Sequence, residues 1–165
     1  MFKILTSFGL AAVLFLQALS VSHAATAREI LDAQQKKVGT AAFTSANYKS
    51  GTIHHIVLFR YKQGILPKQV SEVRQRFLAL KTQARRNGKP YIVRIEEGVQ
   101  NSGEGVDGGY QQAFIVTFQS EGDRNYYVGT PVVTNSRFFE PAHESFKQFV
   151  GPLLDSKNGV LVFDF

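Results

Sequence analysis

The sequence predicts an α+β fold in which an antiparallel sheet carries its helices on one face. Segments rich in β-branched and aromatic residues alternate with segments of helical periodicity, in the order β-α-β-β-α-β. The Gly-rich stretch 98–109 joins the second and third strands and is typical of a hairpin loop. Together these observations indicate a ferredoxin-like βαββαβ arrangement.

The first 24 residues predict a secretory signal peptide. Lys3 gives a positive start, the run 8–16 is apolar throughout, and Ser22 and Ala24 have the small side chains that a cleavage site requires. The run is too short to cross about 30 Å of hydrocarbon, although an uncleaved membrane anchor is the alternative. Cleavage after Ala24 leaves a chain of net charge +5 that is secreted or, in a Gram-negative bacterium, periplasmic.

Composition limits both the size of the protein and its chemistry. The 165 residues allow one domain of ordinary size with a small appendage. The absence of Cys excludes disulfides, thiolate metal sites, iron–sulfur clusters, a thiol nucleophile and an N-terminal lipid-modified Cys. An exported chain without Cys must be stabilised by its core alone.

Residues 25–51 predict an N-terminal helix followed by a linker. Thr26 and Glu29 have the spacing of a capping box, in which each side chain accepts a hydrogen bond from the other residue's backbone N–H. The helix is expected to run to about Val38 and to end at Gly39. Residues 40–51 are small and polar without periodicity, which is typical of a linker.

The domain that follows, residues 52–165, contains the strands and two further helical patterns. Strands are predicted where β-branched and aromatic residues concentrate, at 53–61, 91–97, 110–119 and 159–165. A helix is predicted from Pro67 to about Asn87-Gly88, because its apolar residues recur every three or four positions. Shorter helices are predicted at 123–128 and from Pro141 onward.

The first and last strands are apolar on both faces. In the first strand Ile56 and Leu58 alternate with Val57 and Phe59, although helices can cover only one face of the sheet. The simplest cover for the other face is the sheet of a second copy, so the pattern predicts a homodimer. A buried ligand cavity is the alternative explanation for some of these residues.

Five features occur in the order of a known family. They are the run 53–60 (IHHIVLFR), Glu97-Gly98 through Asn101-Ser102, Gly109-Tyr110, Pro141-Ala142-His143 before an aromatic helix, and the terminal run 162–165 (VFDF). Over roughly residues 52–165 the sequence therefore resembles the stress-responsive A/B barrel (Dabb) domain. The resemblance implies a dimeric α+β barrel. Members include plant stress proteins and a polyketide cyclase that needs no cofactor. The resemblance therefore implies little about the activity of the chain, and it implies that no cofactor is required.

The predicted mature chain has three histidines, His54, His55 and His143. His54 and His55 are neighbours on a strand and point to opposite faces, which argues against a metal site built from all three. Resemblance to the cyclase-like members implies that His143 or His55 acts as a general base and that Tyr126 supports the developing charge. Purely structural roles for both histidines are the alternative.

Two departures from the cyclase-like pattern bear on this assignment. Residues 131–140 stretch a segment that is short in those members, and an insertion of this length can separate Tyr126 from His143. Gln111-Gln112 stand where the cyclase-like member has a histidine. Asp164, among apolar residues near the end of the chain, is interpreted either as an inward acid that orients a His or Arg, or as an edge charge.

Other motifs are excluded by their context. Residues 103–108 satisfy G-x-G-x-x-G, but they lead into a strand, and Glu104 and Asp107 would repel phosphate, so we interpret them as a hairpin loop. Glu96 and Glu97 face opposite ways on a strand and cannot act as a glycosidase pair.

Positive charge concentrates in residues 60–94, which hold ten basic residues and one acid, Glu72. A basic helix face attracts anionic partners. Export argues against nucleic acid, which leaves an anionic envelope surface of lipid or polysaccharide, or simply a solvated helix face.

Three functional hypotheses follow. The first is an exported homodimer that binds a small apolar molecule in an aromatic-lined cavity; the candidate wall residues are Phe59, Tyr61, Phe114, Phe118, Tyr126, Tyr127 and Phe146. The second is a cofactor-independent cyclase-like or lyase-like enzyme that uses His143 or His55. The third is a structural stress protein without a ligand.

Overall fold

The fold is a four-stranded sheet with helices on one face, preceded by two N-terminal helices. It is seen in a computed structural model that describes residues 24–165. Residues 1–23 of the predicted signal peptide, which runs to Ala24, lie outside the described residues. The strands are β1 (Ser50–Phe59), β2 (Arg94–Val99), β3 (Gln112–Ser120) and β4 (Val160–Asp164). The helices are α1 (Ala27–Val38), α2 (Thr40–Phe43), α3 (Pro67–Gln83), α4 (Glu121–Val128) and α5 (Pro141–Val150), with short 3-10 turns at Ser136–Phe138 and Gly151–Leu153.

The sheet has the strand order β2-β3-β1-β4, and every neighbouring pair is antiparallel. This topology confirms the ferredoxin-like prediction. β1 is central because it pairs with β3 on one side and with β4 on the other. Its register places His55 opposite Asp164 and His54 opposite Thr117, so the two adjacent histidines lie on opposite faces of the sheet, as the strand period requires.

An aromatic cluster joins the sheet to the helices. The rings of Phe77 on α3 and Phe114 on β3 stack with centroids 3.9 Å apart, and Phe146 on α5 meets Phe77 edge-on at 5.1 Å. The apolar positions that predicted α3 form its buried side, since Val73, Phe77 and Leu80 are buried. The helix ends at Gln83, earlier than predicted, because the chain turns back between Arg86 and Lys89.

The opposite face of the sheet carries no helix among the described residues. Leu161, Phe163 and Phe165 expose 42%, 59% and 64% of their surface there. Val160 and Val162 alternate with them and point to the helix side, since they lie opposite Phe59 and Val57. The last strand therefore presents two different apolar surfaces.

The N-terminal segment packs against the domain. The capping box at the start of α1 is confirmed, with Thr26 N donating to Glu29 Oε2 at 2.8 Å. The prediction that residues 40–51 form only a linker is wrong, because Thr40–Phe43 is a helix whose Phe43 is buried. Asn125 Nδ2 donates to the carbonyl oxygen of Phe43 at 2.9 Å, which ties α2 to α4.

Gly122 allows this packing to be close. A Cβ at Gly122 would lie 1.8 Å from the carbonyl oxygen of Ser45, so a larger residue has no room there. Gly122 N also donates to the carbonyl oxygen of Tyr48, and Lys49 Nζ lies 3.0 Å from Glu121 Oε2. None of the helices within residues 24–165 is long and apolar enough to span a membrane.

Candidate functional site

A cavity of about 580 Å³ opens between the helix side of β1 and β4 and the helices α1 and α5. Its walls are mainly apolar, with Val57, Phe59 and Val162 from the sheet and Phe146 and Val150 from α5. Five polar side chains complete the lining: Arg28, His55, Thr130, His143 and Lys147. A cavity of this size, apolar with few polar groups, is typical of small-molecule sites.

His143, in the first turn of α5, is held by the backbone of α4. Its Nδ1 lies 2.7 Å from the carbonyl oxygen of Tyr127. A carbonyl oxygen can only accept, so Nδ1 carries the proton and Nε2 is left with its lone pair. Burial lowers the pKa of His143 to about 3, against the opposing effect of the bond to Tyr127, and the charges of Lys147 and His55 act in the same direction as burial. The imidazole is therefore neutral at physiological pH.

His55 belongs to a row of three charged or polar side chains. Its Nδ1 lies 2.7 Å from Asp164 Oδ1, and the other carboxylate oxygen of Asp164 accepts a hydrogen bond from Arg124 Nη1. Burial would raise the pKa of Asp164, but the hydrogen bonds and charges of His55 and Arg124 outweigh it and hold this pKa below its ordinary value. The interpretation of Asp164 as an inward acid that orients a His and an Arg is confirmed.

Tyr126 and Tyr127 point to different surroundings. The guanidinium carbon of Arg86 lies 4.3 Å from the centroid of the Tyr126 ring, and the centroid of the Tyr91 ring lies 5.5 Å from it. Tyr126 does not line the cavity. Tyr127 lies between the two histidines, with ring centroids 3.9 Å from His143 and 5.8 Å from His55. The structure therefore brings His55 and His143 together around Tyr127 and not around Tyr126.

The aromatic residues predicted as cavity walls divide into two groups. Phe59 and Phe146 line the cavity. Tyr61, Phe114, Phe118 and Tyr127 are buried in the core instead. Because α3 and α5 cover the β3 side of the sheet, aromatic residues there pack against helices, and the open space lies over β4.

Sequence reasoning missed several lining residues, among them Arg28, Leu31, Thr130, Lys147 and Val162. The apolar positions of α1 gave a signal, because an amphipathic helix needs a surface to pack on. The sequence did not show that this surface borders a cavity.

His54 and the Gly-rich loop lie away from the cavity. His54 Nδ1 is 3.2 Å from Thr117 Oγ1 on the helix-free face. The loop 103–108 links the antiparallel strands β2 and β3, which confirms that it is a hairpin loop. Across residues 24–165, His, Asp and Glu form no cluster suited to a metal ion.

The basic segment 60–94 is partly neutralised by neighbouring acids. Five of its ten basic side chains lie within 4.0 Å of a carboxylate, and the Arg86–Asp123 pair, at 2.7 Å, is the most buried of these. The other five form no such pair with the residues that the structure describes: Lys62, Lys68, Lys81, Arg85 and Lys89.

Comparison with protein families decides the family of the chain. The model of the stress-responsive A/B barrel domain, Dabb, matches residues 53–165. The chain belongs to the Dabb family. The resemblance found in the sequence is thus confirmed. Comparison with curated proteins gave no match.

Solved structures with the same fold come from plants and bacteria. A protein of Arabidopsis thaliana is 25% identical with a TM-score of 0.53, over 68% of this Dabb chain and 92% of its own. Hydroxynitrile lyase from Passiflora edulis is 20% identical with a TM-score of 0.53, over 70% and 93%. A dimeric ferredoxin-like protein of unknown function from Jannaschia sp. CCS1 is 17% identical with a TM-score of 0.52, over 70% and 98%.

Proposed function

We propose that this Dabb protein is an exported homodimer that binds a small apolar molecule in the cavity between β1, β4, α1 and α5. The observation that carries the proposal is the cavity itself, about 580 Å³ with mainly apolar walls. Removing apolar ligand surface from water is worth about 25 cal/mol per Å², which favours occupation by an apolar molecule. The few polar groups at the walls orient it.

The binding proposal is tested with native mass spectrometry of protein purified from its own host. A defined additional mass on each protomer supports it.

A titration with a hydrophobic fluorescent probe is the second measurement, with the variant Val162→Phe to fill the cavity and Val106→Phe as the matched control. Val106 is 80% exposed and does not line the cavity, so only the first substitution should weaken probe binding. Absence of both bound mass and probe binding contradicts this function and favours the ligand-free structural alternative.

The dimer in this proposal is supported by the helix-free face of the sheet. Leu161, Phe163 and Phe165 form an exposed apolar surface that a second copy would bury. The ferredoxin-like protein from Jannaschia sp. CCS1, which shares the fold, is described as dimeric.

A second candidate function is cofactor-independent enzymatic catalysis of the cyclase or lyase kind. It is favoured by His55, whose Nδ1 lies 2.7 Å from Asp164 Oδ1, because a carboxylate partner stabilises the imidazolium that forms when Nε2 takes a proton from a bound molecule. The neutral His143 lines the same cavity, and its Nε2, which makes no hydrogen bond among residues 24–165, can accept a hydrogen bond from that molecule. The fold itself hosts an enzyme, since the hydroxynitrile lyase from Passiflora edulis shares it.

The enzymatic candidate is tested with an aromatic hydroxynitrile as the probe. In the expected reaction a histidine removes the hydroxyl proton, the bond between the carbinol carbon and the nitrile carbon breaks, and cyanide and an aldehyde leave. Release of aldehyde above the uncatalysed rate, lost in His143→Gln or His55→Gln, supports a lyase. Equal rates of aldehyde release with and without protein would contradict lyase activity.

Export and surface binding belong to the same proposal. Cleavage after Ala24 predicts that protein from the host begins at Ala25, and a chain that begins at Met1 contradicts it. An anionic envelope surface is the proposed partner of the basic segment 60–94. Cosedimentation with vesicles that contain phosphatidylglycerol, and not with neutral vesicles, supports this partner.

A further inference from the structure

The charged side chains that line the cavity, Arg28 and Lys147, are both cationic, and no Asp or Glu among residues 24–165 lines it. Their carboxylate partners, Asp32 and Glu144, lie outside the lining. A purely apolar ligand gains no electrostatic attraction from the two cationic side chains, whereas a negatively charged group is attracted by them. The lining therefore distinguishes an apolar molecule from one that carries an anionic end.

Lys147 is fully engaged within the protein. Its Nζ lies 2.7 Å from Glu144 Oε2 and donates to Thr130 Oγ1 at 2.9 Å and to the carbonyl oxygen of Val128 at 3.2 Å. An ammonium group has three hydrogens, so these partners use all of them. Lys147 therefore links α5 to residues 128–130 in the wall of the cavity, and it has no N–H group left to donate to a ligand.

Arg28 differs because its guanidinium keeps free donors. Nε donates to Asp32 Oδ2 at 2.7 Å, and Nη2 donates to the carbonyl oxygen of Pro131 at 3.0 Å. Both hydrogens of Nη1 and one of Nη2 make no hydrogen bond with the described residues. The side chain is 47% exposed and lines the cavity, so these donors lie where ligand and solvent meet.

We propose that the ligand is an apolar molecule with a terminal carboxylate, and that Arg28 binds this carboxylate at the mouth of the cavity. The planar guanidinium can donate two parallel hydrogen bonds to a carboxylate, which fixes the orientation of the molecule. The apolar part then extends inward along Val162 and Phe146. This inference rests on the proposed binding function.

Arg28 lies outside the part of the chain that matches the family model. It lies on α1, before the residues 53–165 that match the Dabb family. Its partner Pro131 lies in the insertion 131–140, the other segment that the cyclase-like pattern lacks. The two additions meet at the bond between Arg28 and Pro131 and together form the edge of the cavity.

The test compares three ligands of equal chain length: decanoate, 1-decanol and decylamine. Each is titrated by calorimetry into the full-length wild type, Arg28→Gln and Arg76→Gln, with decanoate and decylamine below their micelle concentrations and 1-decanol below its solubility limit. Arg76 is the matched control, because it also forms an i,i+4 ion pair, is 55% exposed and does not line the cavity. Arg28→Lys, which keeps the charge without the planar fork, completes the series.

We expect the wild type to bind decanoate about tenfold more tightly than 1-decanol and to bind decylamine most weakly, because a charge-assisted hydrogen bond is stronger than a neutral one. Arg28→Gln should abolish the preference without weakening 1-decanol, and Arg76→Gln should leave both affinities unchanged. Arg28→Lys should keep part of the preference.

Equal affinities of the wild type for decanoate and 1-decanol would overturn the carboxylate assignment and leave the binding function standing, even if Arg28→Gln fails to fold. A preference for decanoate that persists in well-folded Arg28→Gln overturns the role of Arg28. If none of the three ligands binds the wild type and the hydrophobic probe does not bind either, the proposed function fails, and this inference fails with it.

Discussion

The imidazole of His143 lies flat on the ring of Tyr127, with centroids 3.9 Å apart and planes 15° from parallel, while its Nδ1 donates to the carbonyl oxygen of the same residue. One tyrosine thus fixes both the orientation and the tautomer of the histidine. The arrangement suits a neutral ring, because burial makes the charged form costly and lowers the pKa to about 3.

The buried neutral His143 predicts loss of stability in mild acid. In the unfolded chain its pKa returns to about 6.5, so the unfolded state binds a proton that the folded state excludes. The free energy of unfolding should therefore fall as the pH drops from about 6.5 toward 3, by up to about 1.4 kcal/mol per pH unit from this group. Urea unfolding of wild type and His143→Gln at pH 7, 6 and 5 measures it. Parallel pH dependence in the two proteins would contradict the prediction.

Asp164→Asn should destabilise the protein and reduce its sensitivity to stronger acid. The change weakens the contacts with Arg124 and His55, and we expect a loss of about 2 kcal/mol at pH 7. Because the pKa of Asp164 is lowered in the folded state, its contribution is complete above its ordinary pKa of 3.8 and is lost as the pH falls through the folded value.

The control for Asp164→Asn is Asp155→Asn. The Arg60–Asp155 pair is longer, at 3.5 Å, and its carboxylate is more exposed, so this change should cost less than about 1 kcal/mol. Equal losses of unfolding free energy in the two variants, measured by urea unfolding, would show that the contacts of Asp164 with His55 and Arg124 stabilise the protein no more than a partly exposed ion pair does.

Phe163→Glu should convert the proposed dimer to a monomer. Phe163 lies on the helix-free face and is 59% exposed, so a glutamate is tolerated in the monomer but places a charge in the centre of the apolar interface. Multi-angle light scattering at micromolar concentration measures the mass. Val106→Glu, in the exposed hairpin loop, should leave the dimer intact; a monomeric wild type rules out the dimer altogether.

Phe43→Ala should release the N-terminal helices from the domain. Phe43 is 1% exposed, and replacing such a buried phenylalanine by alanine costs about 3–5 kcal/mol. Hydrogen exchange of α1 should accelerate in this variant, because α2 anchors it to α4. Ile30→Ala, on the exposed side of α1, should change stability by less than about 0.5 kcal/mol. Unchanged exchange in Phe43→Ala would show that α1 is held by other contacts.

The fold was predictable because its signals are local. The alternation in β1, the spacing of Val73, Phe77 and Leu80, and the Thr26–Glu29 capping box each report on a few neighbouring residues. The two apolar faces of the last strand were also visible, but alternation alone does not say which face a cavity occupies. Only the register with β1 assigns Val162 to the cavity and Phe163 to the open face.

The site was predictable only in part, because it depends on contacts between distant segments. His55 and His143 were found from their resemblance to cyclase-like members, and they do meet at one cavity. Tyr126 was assigned from the same resemblance, but neighbouring residues of a helix such as α4 point about 100° apart, so an offset of one residue selects a tyrosine that faces away from the histidines. Arg28 was missed because its partner Pro131 lies more than one hundred positions away in the chain.

The close approach at Gly122 has a consequence for other members of the family. Its missing side chain is needed because the carbonyl group of Ser45 and the Cβ of Tyr48, both in the N-terminal segment, occupy that space. A homologue whose chain starts at the first strand has no such neighbour and is free to carry alanine, serine or a larger residue there. We therefore expect glycine at this position to accompany the N-terminal extension through evolution, so that a single column of an alignment separates the members that possess the docked helices from those that do not.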